Sequence, residues 1–97
     1  MIYHVITAAD WETAQQEGSY AAASLASEGF IHTSREEQVQ GVLERYYKGQ
    51  QNLLLLHIDE ELVTARLVEE LAPSINELFP HIYGRLNLDA VVKVEAI

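Results

Sequence analysis

Glu28-Gly29-Phe30-Ile31-His32-Thr33-Ser34 is the stretch around which the chain is organised. It reads as a glycine turn, a short apolar strand carrying a histidine, and a helix cap. Gly29 opens the strand Phe30 to Thr33, since glycine turns a chain without a Cβ penalty. Ser34-Arg35-Glu36-Glu37 then has the form of a capping box, with the Ser34 hydroxyl meeting a free helical amide and Glu37 reaching back. Val39, Val42, Leu43, Tyr46 and Tyr47 follow at three- and four-residue spacing. That spacing predicts one apolar helix face, ending near Lys48 with Gly49 just beyond. Glu44 and Lys48 would pair on the wet side. Phe79-Pro80-His81-Ile82-Tyr83-Gly84 is the companion stretch. It too sets a histidine in an apolar run, and Pro80 forces Phe79 toward the extended region. The two stretches are expected to form two walls of one cleft.

Outward from these, Ile2 to Ile6 alternates as a strand, with Ile2, His4 and Ile6 on one face and Tyr3 and Val5 on the other. Thr7 is an N-cap with Asp10 in the first turn, and the helix from Ala8 to Glu17 stops at Gly18 with Trp11 and Ala14 inward. Gly18 to Ser27, rich in small residues and without a clean period, reads as a loop holding one helical turn. Asn52 to Ile58 is a near-continuous apolar run, the signature of a central strand buried on both faces. Asp59 to Leu62 is a turn, Ala65 to Glu69 a strand, and Ile75 to Leu78 a helical turn after the Pro73-Ser74 break. Phe79 to Tyr83 is extended, and Ala90 to Glu95 closes the chain. Two helices with five or six strands in mixed order give an α+β fold.

The 97 residues hold one domain, residues 1–97, with no repeat or linker. Apolar residues make up 48%, too many for disorder. The absence of cysteine excludes a disulfide scaffold, a thiol nucleophile and any cysteine-based zinc site. No signal peptide is read at Met1-Ile2-Tyr3-His4, and Leu53 to Leu56 is far too short to span a bilayer, so a cytoplasmic protein without membrane contact is expected. Fifteen acidic against six basic residues give a formal charge of −9. That balance argues against wide contact with a nucleic-acid backbone, which needs clustered Lys and Arg.

All four histidines, His4, His32, His57 and His81, fall in predicted strands. No pair has the local spacing of a metal motif, and no metal site is expected. Ser34 lacks a nucleophile elbow and already serves as a cap. A polar cleft for a small molecule fits better: imidazoles bind hydroxyls, Tyr and Phe supply stacking area, and the helix start beside Arg35 suits an anion. His4 and His57 taken singly read as satisfied core histidines, whereas His32 and His81 each adjoin a backbone-fixing Gly or Pro and a nearby hydroxyl. The candidate catalytic residues are His32 and His81 as general acid/base and Glu69 as an electrostatic stabiliser; His4, Thr33, Ser34 and Tyr83 are candidate ligand contacts. Of the Glu69-Glu70 pair, one must face each side of a continuing strand.

Ile2-Tyr3-His4 with Trp11, the Glu28 to Ser34 stretch with Gln38, and the Phe79 to Gly84 stretch together resemble the bacterial family called domain of unknown function 952, over essentially the whole chain. The resemblance implies a fold like that of the ADP-ribosyltransferases: a split, curved, mostly antiparallel sheet with flanking helices and a central cleft. It implies a ligand such as NAD, ADP-ribose or another nucleotide-like or phosphorylated metabolite. In that superfamily a first-strand His touches a ribose, a Tyr on a later strand stacks on nicotinamide, and a Glu near the cleft supports an oxocarbenium-like transition state. His4 matches the first role by position, His32 stands where the Tyr is expected, and Glu69 is a candidate for the third. The rival expectation is a non-catalytic interaction module with an acidic surface.

Overall fold

The first strand, β1 (Ile2–Thr7), sets the layering of the fold. The computed structural model describes residues 1–97. β1 pairs antiparallel with β4 (Leu53–Ile58), which pairs on its other edge with β8 (Val91–Ala96), so the apolar run is the centre of a three-stranded sheet. Both faces of β4 are covered, as its unbroken hydrophobicity requires, while the edge strand β8 leaves Val92 and Val94 exposed. One face sends Ile2, Ile6, Leu56 and Ile58 into the main core, and the other sends Tyr3, Val5, Leu53 and Leu55 against Val39 and Leu43 of helix α3 (Val39–Tyr46) and against Tyr47 just past its end. The main core is completed by a second antiparallel sheet, ordered β3 (Ile31–His32), β6 (Glu77–Tyr83), β5 (Arg66–Ala72), through Ile31 and Ile82. Each of these fully buried aliphatic side chains is worth about 1.5–3 kcal/mol of transfer free energy.

The two sheets meet along one seam. The Tyr3 amide donates to the Ser34 carbonyl and the Ser34 amide to the Tyr3 carbonyl, each at 2.8 Å. This single bridge splices β1 to the chain leaving β3. Every pairing between strands is antiparallel, giving an α+β domain with few helices.

Helix α1 (Ala8–Glu17) begins and ends as its sequence dictates: the Asp10 amide donates to Thr7 Oγ1 at 3.1 Å, and Gly18 closes it with φ +82°. Four expectations are corrected. Gly18 to Ser27 is a two-residue strand, β2 (Ser19–Tyr20), paired with β7 (Leu86–Asn87), followed by a six-residue helix, α2 (Ala23–Glu28). Gly29, at φ +90°, caps α2 instead of opening a strand, and β3 is confined to two residues. Ser34 is not a helix cap, because its backbone is spent on the Tyr3 bridge. The reach-back moves one residue on: Arg35 precedes a 3-10 turn at Glu36–Gln38, and its amide donates to Gln38 Oε1 at 2.9 Å. Finally, Pro73 to Asn76 is the turn of the β5–β6 hairpin, with Asn76 at φ +55°, so Glu77 and Leu78 are strand.

Candidate functional site

The seam between the sheets carries three of the four histidines. His4 lies on β1 and is buried. Its Nδ1 is 2.6 Å from the His32 carbonyl, and its Nε2 is 2.8 Å from the Tyr20 hydroxyl. A carbonyl can only accept, so Nδ1 carries the proton and Nε2 accepts from Tyr20. Burial drives the His4 pKa down to about 4, against the smaller opposing effect of the His32 carbonyl, and His4 is neutral near pH 7. Burial likewise pushes the Tyr20 phenol upward. With both ring nitrogens held, His4 has none to offer a ligand.

His32 and His81 are register partners on β3 and β6, so their side chains leave the same face of the sheet. Their rings meet edge to face, centroids 5.3 Å apart. Phe30 stacks on His81 at 4.0 Å and 14° and touches His32 edge-on at 4.8 Å. Each imidazole donates to a carboxylate: His32 Nε2 to Glu28 at 3.0 Å, and His81 Nδ1 to Glu70 at 2.8 Å. The Tyr83 hydroxyl donates to the same Glu70 oxygen. Tyr83 first, and His81 second, hold the Glu70 carboxyl below the usual carboxylate range; in return the carboxylate raises the Tyr83 phenol. His81 is mostly buried and His32 half exposed. The remaining nitrogens, His32 Nδ1 and His81 Nε2, have no protein partner.

These rings border a cavity of 520 Å³. His4, His32, Thr33, Ser34 and His81 line its polar end. Val42 and Tyr46 of α3, Tyr47 just past its end, and Ala72, Ile75 and Phe79 of the hairpin form its apolar walls. Gln38 fastens these walls together, because its Nε2 donates to the Leu78 carbonyl at 2.8 Å and to Glu77 at 3.2 Å. Thr33 is buried and its hydroxyl donates to the Pro80 carbonyl at 2.6 Å. No Lys or Arg lines the cavity.

Glu69 is not brought to this cluster. It leaves β5 on the opposite face, where Arg35 binds it through Nε at 3.1 Å and through Nη2. Arg35 also donates to Glu60 at 2.6 Å, and Glu60 holds the N-terminal ammonium at 2.8 Å. The ammonium and Arg35 together keep the Glu60 carboxyl low. Glu70 is the acid beside His81. Tyr83 reaches the cluster through Glu70 and does not line the cavity. His57 donates to Glu95 at 2.8 Å and packs edge-on against Tyr3, away from the cavity. No three His, Asp or Glu side chains converge as a metal site.

Sequence reasoning missed three members of the cluster. Glu28 stands four residues before His32, but Gly29 between them broke the helix reading that would have paired them. Phe30 is placed by the sequence at the start of the strand, with nothing local to aim its ring at His81. Glu70 was visible only as one half of a pair, and the strand's register, which selects it, depends on the hairpin turn.

Fold and site define an α+β domain of two spliced antiparallel sheets with a histidine-lined cavity at the splice. Residues 5–94 match the family described as "Protein of unknown function (DUF952)", and the chain belongs to that family. It is similar in structure to protein CC0527 from Caulobacter crescentus. The crystal structure of that protein has a TM-score of 0.87 at 32% identity, covering 96% of this chain and 82% of that one. Its solution NMR structure has a TM-score of 0.84 at 31% identity, covering 99% and 83%. No curated protein matches the chain. No helix is long and apolar enough to cross a membrane.

Proposed function

We propose that the cavity binds a small molecule and that the Glu70–His81 pair acts on it as a general acid/base. One observation carries this reading: His81 Nδ1 is tied to Glu70 at 2.8 Å while Nε2, on a cavity-lining ring, has no protein partner. The carboxylate fixes the tautomer and leaves the Nε2 lone pair available to take a proton. Phe30 fixes the ring plane by stacking. His32, more exposed, supplies a second imidazole beside the first. In a turnover, a substrate X–H bond would yield its proton to His81 Nε2, and protonated His32 would deliver one to the acceptor atom. The Ser34 hydroxyl lines the same end and makes no hydrogen bond to the protein, so it can orient a ligand.

A second reading is chemistry on NAD or ADP-ribose in a fold like that of the ADP-ribosyltransferases. The division into two antiparallel sheets with a cavity at their junction favours it. The commitment of Glu69 to Arg35, and a cavity lining without basic side chains, weigh against it.

A thermal-shift screen of metabolites, with NAD, ADP-ribose and AMP included, tests both. A ligand at about 100 times its Kd adds ~2.7 kcal/mol of stability. The expected hit loses its shift in His81→Gln and in His32→Gln, both of which keep a native NMR spectrum. Hits indifferent to both substitutions would defeat the acid/base reading. A shift with NAD or ADP-ribose that vanishes in His32→Gln and survives in His81→Gln would favour the second reading, and a screen without any hit would favour the acidic interaction module.

A further inference from the structure

We infer that the ligand of this cavity is an organic cation, an ammonium carried on an apolar or ring-bearing body, and not a phosphorylated metabolite. This rests on the small-molecule reading of the same cavity. None of the six Lys and Arg residues lines the cavity. Arg35 is committed to Glu60 and Glu69, and Arg85 to Glu17 and Ser19. A phosphate entering here would find no guanidinium or ammonium to pair with and would meet two imidazoles already turned toward carboxylates.

Tyr3, Tyr46, Tyr47 and Phe79, half of the chain's Tyr, Phe and Trp residues, line the cavity. Aromatic faces are negative and attract a cation placed over them. The Arg45 guanidinium already occupies Tyr46, its carbon 5.7 Å from the ring centroid, which leaves Tyr3, Tyr47 and Phe79 to a ligand. Glu28 and Glu70 hold the two imidazoles from behind and place negative charge next to the cavity. A formal charge of −9 draws cations and repels anions over the whole surface. An ammonium N–H would donate to His81 Nε2, which has a lone pair to offer once Glu70 holds Nδ1.

Benzylammonium, benzyl alcohol and benzoate are near-isosteric probes that differ in charge. Each is titrated by NMR into the full chain at millimolar concentration near pH 7, following the amides of Ser34, Tyr47, Phe79 and His81. We expect benzylammonium to bind about tenfold tighter than benzyl alcohol, equivalent to ~1.4 kcal/mol, and benzoate not to bind. Tyr47→Leu and Phe79→Leu should each reduce the preference for the cation over the alcohol. Equal binding of alcohol and ammonium, or tighter binding of benzoate or inorganic phosphate, overturns the inference while leaving the small-molecule site intact. If none of the probes moves the cavity amides, both the inference and the small-molecule reading fail.

Discussion

Acidification should expose the cost of keeping His4 neutral. The ring is 8% exposed, donates to the His32 carbonyl at 2.6 Å and accepts from Tyr20 at 2.8 Å. Its pKa is about 4 in the folded protein against 6.5 for a free imidazole, and burial is the main cause. Between these values the unfolded chain binds a proton that the folded chain refuses, so stability rises with pH across that window. Above pH 6.5 neither state is protonated and the penalty is absent. From pH 6.5 down to 4 stability falls by up to about 1.4 kcal/mol per unit, about 3 kcal/mol in all, and below pH 4 the loss is complete. The control is His4→Gln, whose amide can still donate to the carbonyl but does not titrate. Urea unfolding of both proteins from pH 7 to pH 4 isolates the effect, since the other histidines and the low-titrating Glu60, Glu70 and Glu95 are common to both and cancel. The stability advantage of the wild type over the variant should shrink by about 3 kcal/mol across the range. A constant difference would refute the reasoning and mean that water reaches the imidazole.

Three further outcomes follow from the same geometry. Thr7→Ala removes the oxygen that accepts the Asp10 amide and should cost about 1 kcal/mol in urea unfolding at neutral pH. Leu56→Ala, at a fully buried position of the central strand, should cost about 2–5 kcal/mol by the same measurement; a smaller loss would mean the core collapses into the space. Tyr83→Phe removes the larger of the two hydrogen bonds that depress Glu70, so the Glu70 carboxyl should titrate upward toward the ordinary range when followed by carbon-13 NMR.

Local signals in the sequence located the framework, because each was decided by residues near in the chain. Thr7, Asp10 and Gly18 bracket α1 by capping alone, and the unbroken apolar run of β4 announces a strand covered on both faces. What failed depended on distant partners. Ser34 has the right neighbours for a cap, but its backbone pairs with Tyr3, 31 residues earlier, and that bridge outcompetes the local box. Ser19 and Tyr20 become strand only because Leu86 and Asn87 arrive beside them. The site divides the same way. His32 and His81 stood out from their motifs, whereas Glu70 was selected over Glu69 by the register Val68 to His81 and Glu70 to Phe79, which no local pattern encodes.

The charge balance explains why imidazoles carry this site. With six Lys and Arg against fifteen Asp and Glu, cations are scarce, and some are used to hold distant segments together. Arg35 joins β5 to the 3-10 turn at Glu60–Leu62, and Arg85, just before β7, reaches back to Glu17 and Ser19 where α1 passes into β2. Carboxylates beside the strands therefore find imidazole as their partner: Glu28 at the end of α2 with His32, Glu70 with His81, Glu95 with His57. Such pairing alone does not distinguish a working histidine from a structural one, since all three rings share it. His4 goes further and has both nitrogens occupied. The distinction lies in where the second nitrogen can act. His57 lies on the central strand β4, where its ring packs against Tyr3 and does not line this cavity. On His32 and His81 the rings border a space large enough for a ligand. The same carboxylate contact thus serves packing at one position and prepares a proton acceptor at another, and the splice between the two sheets decides which.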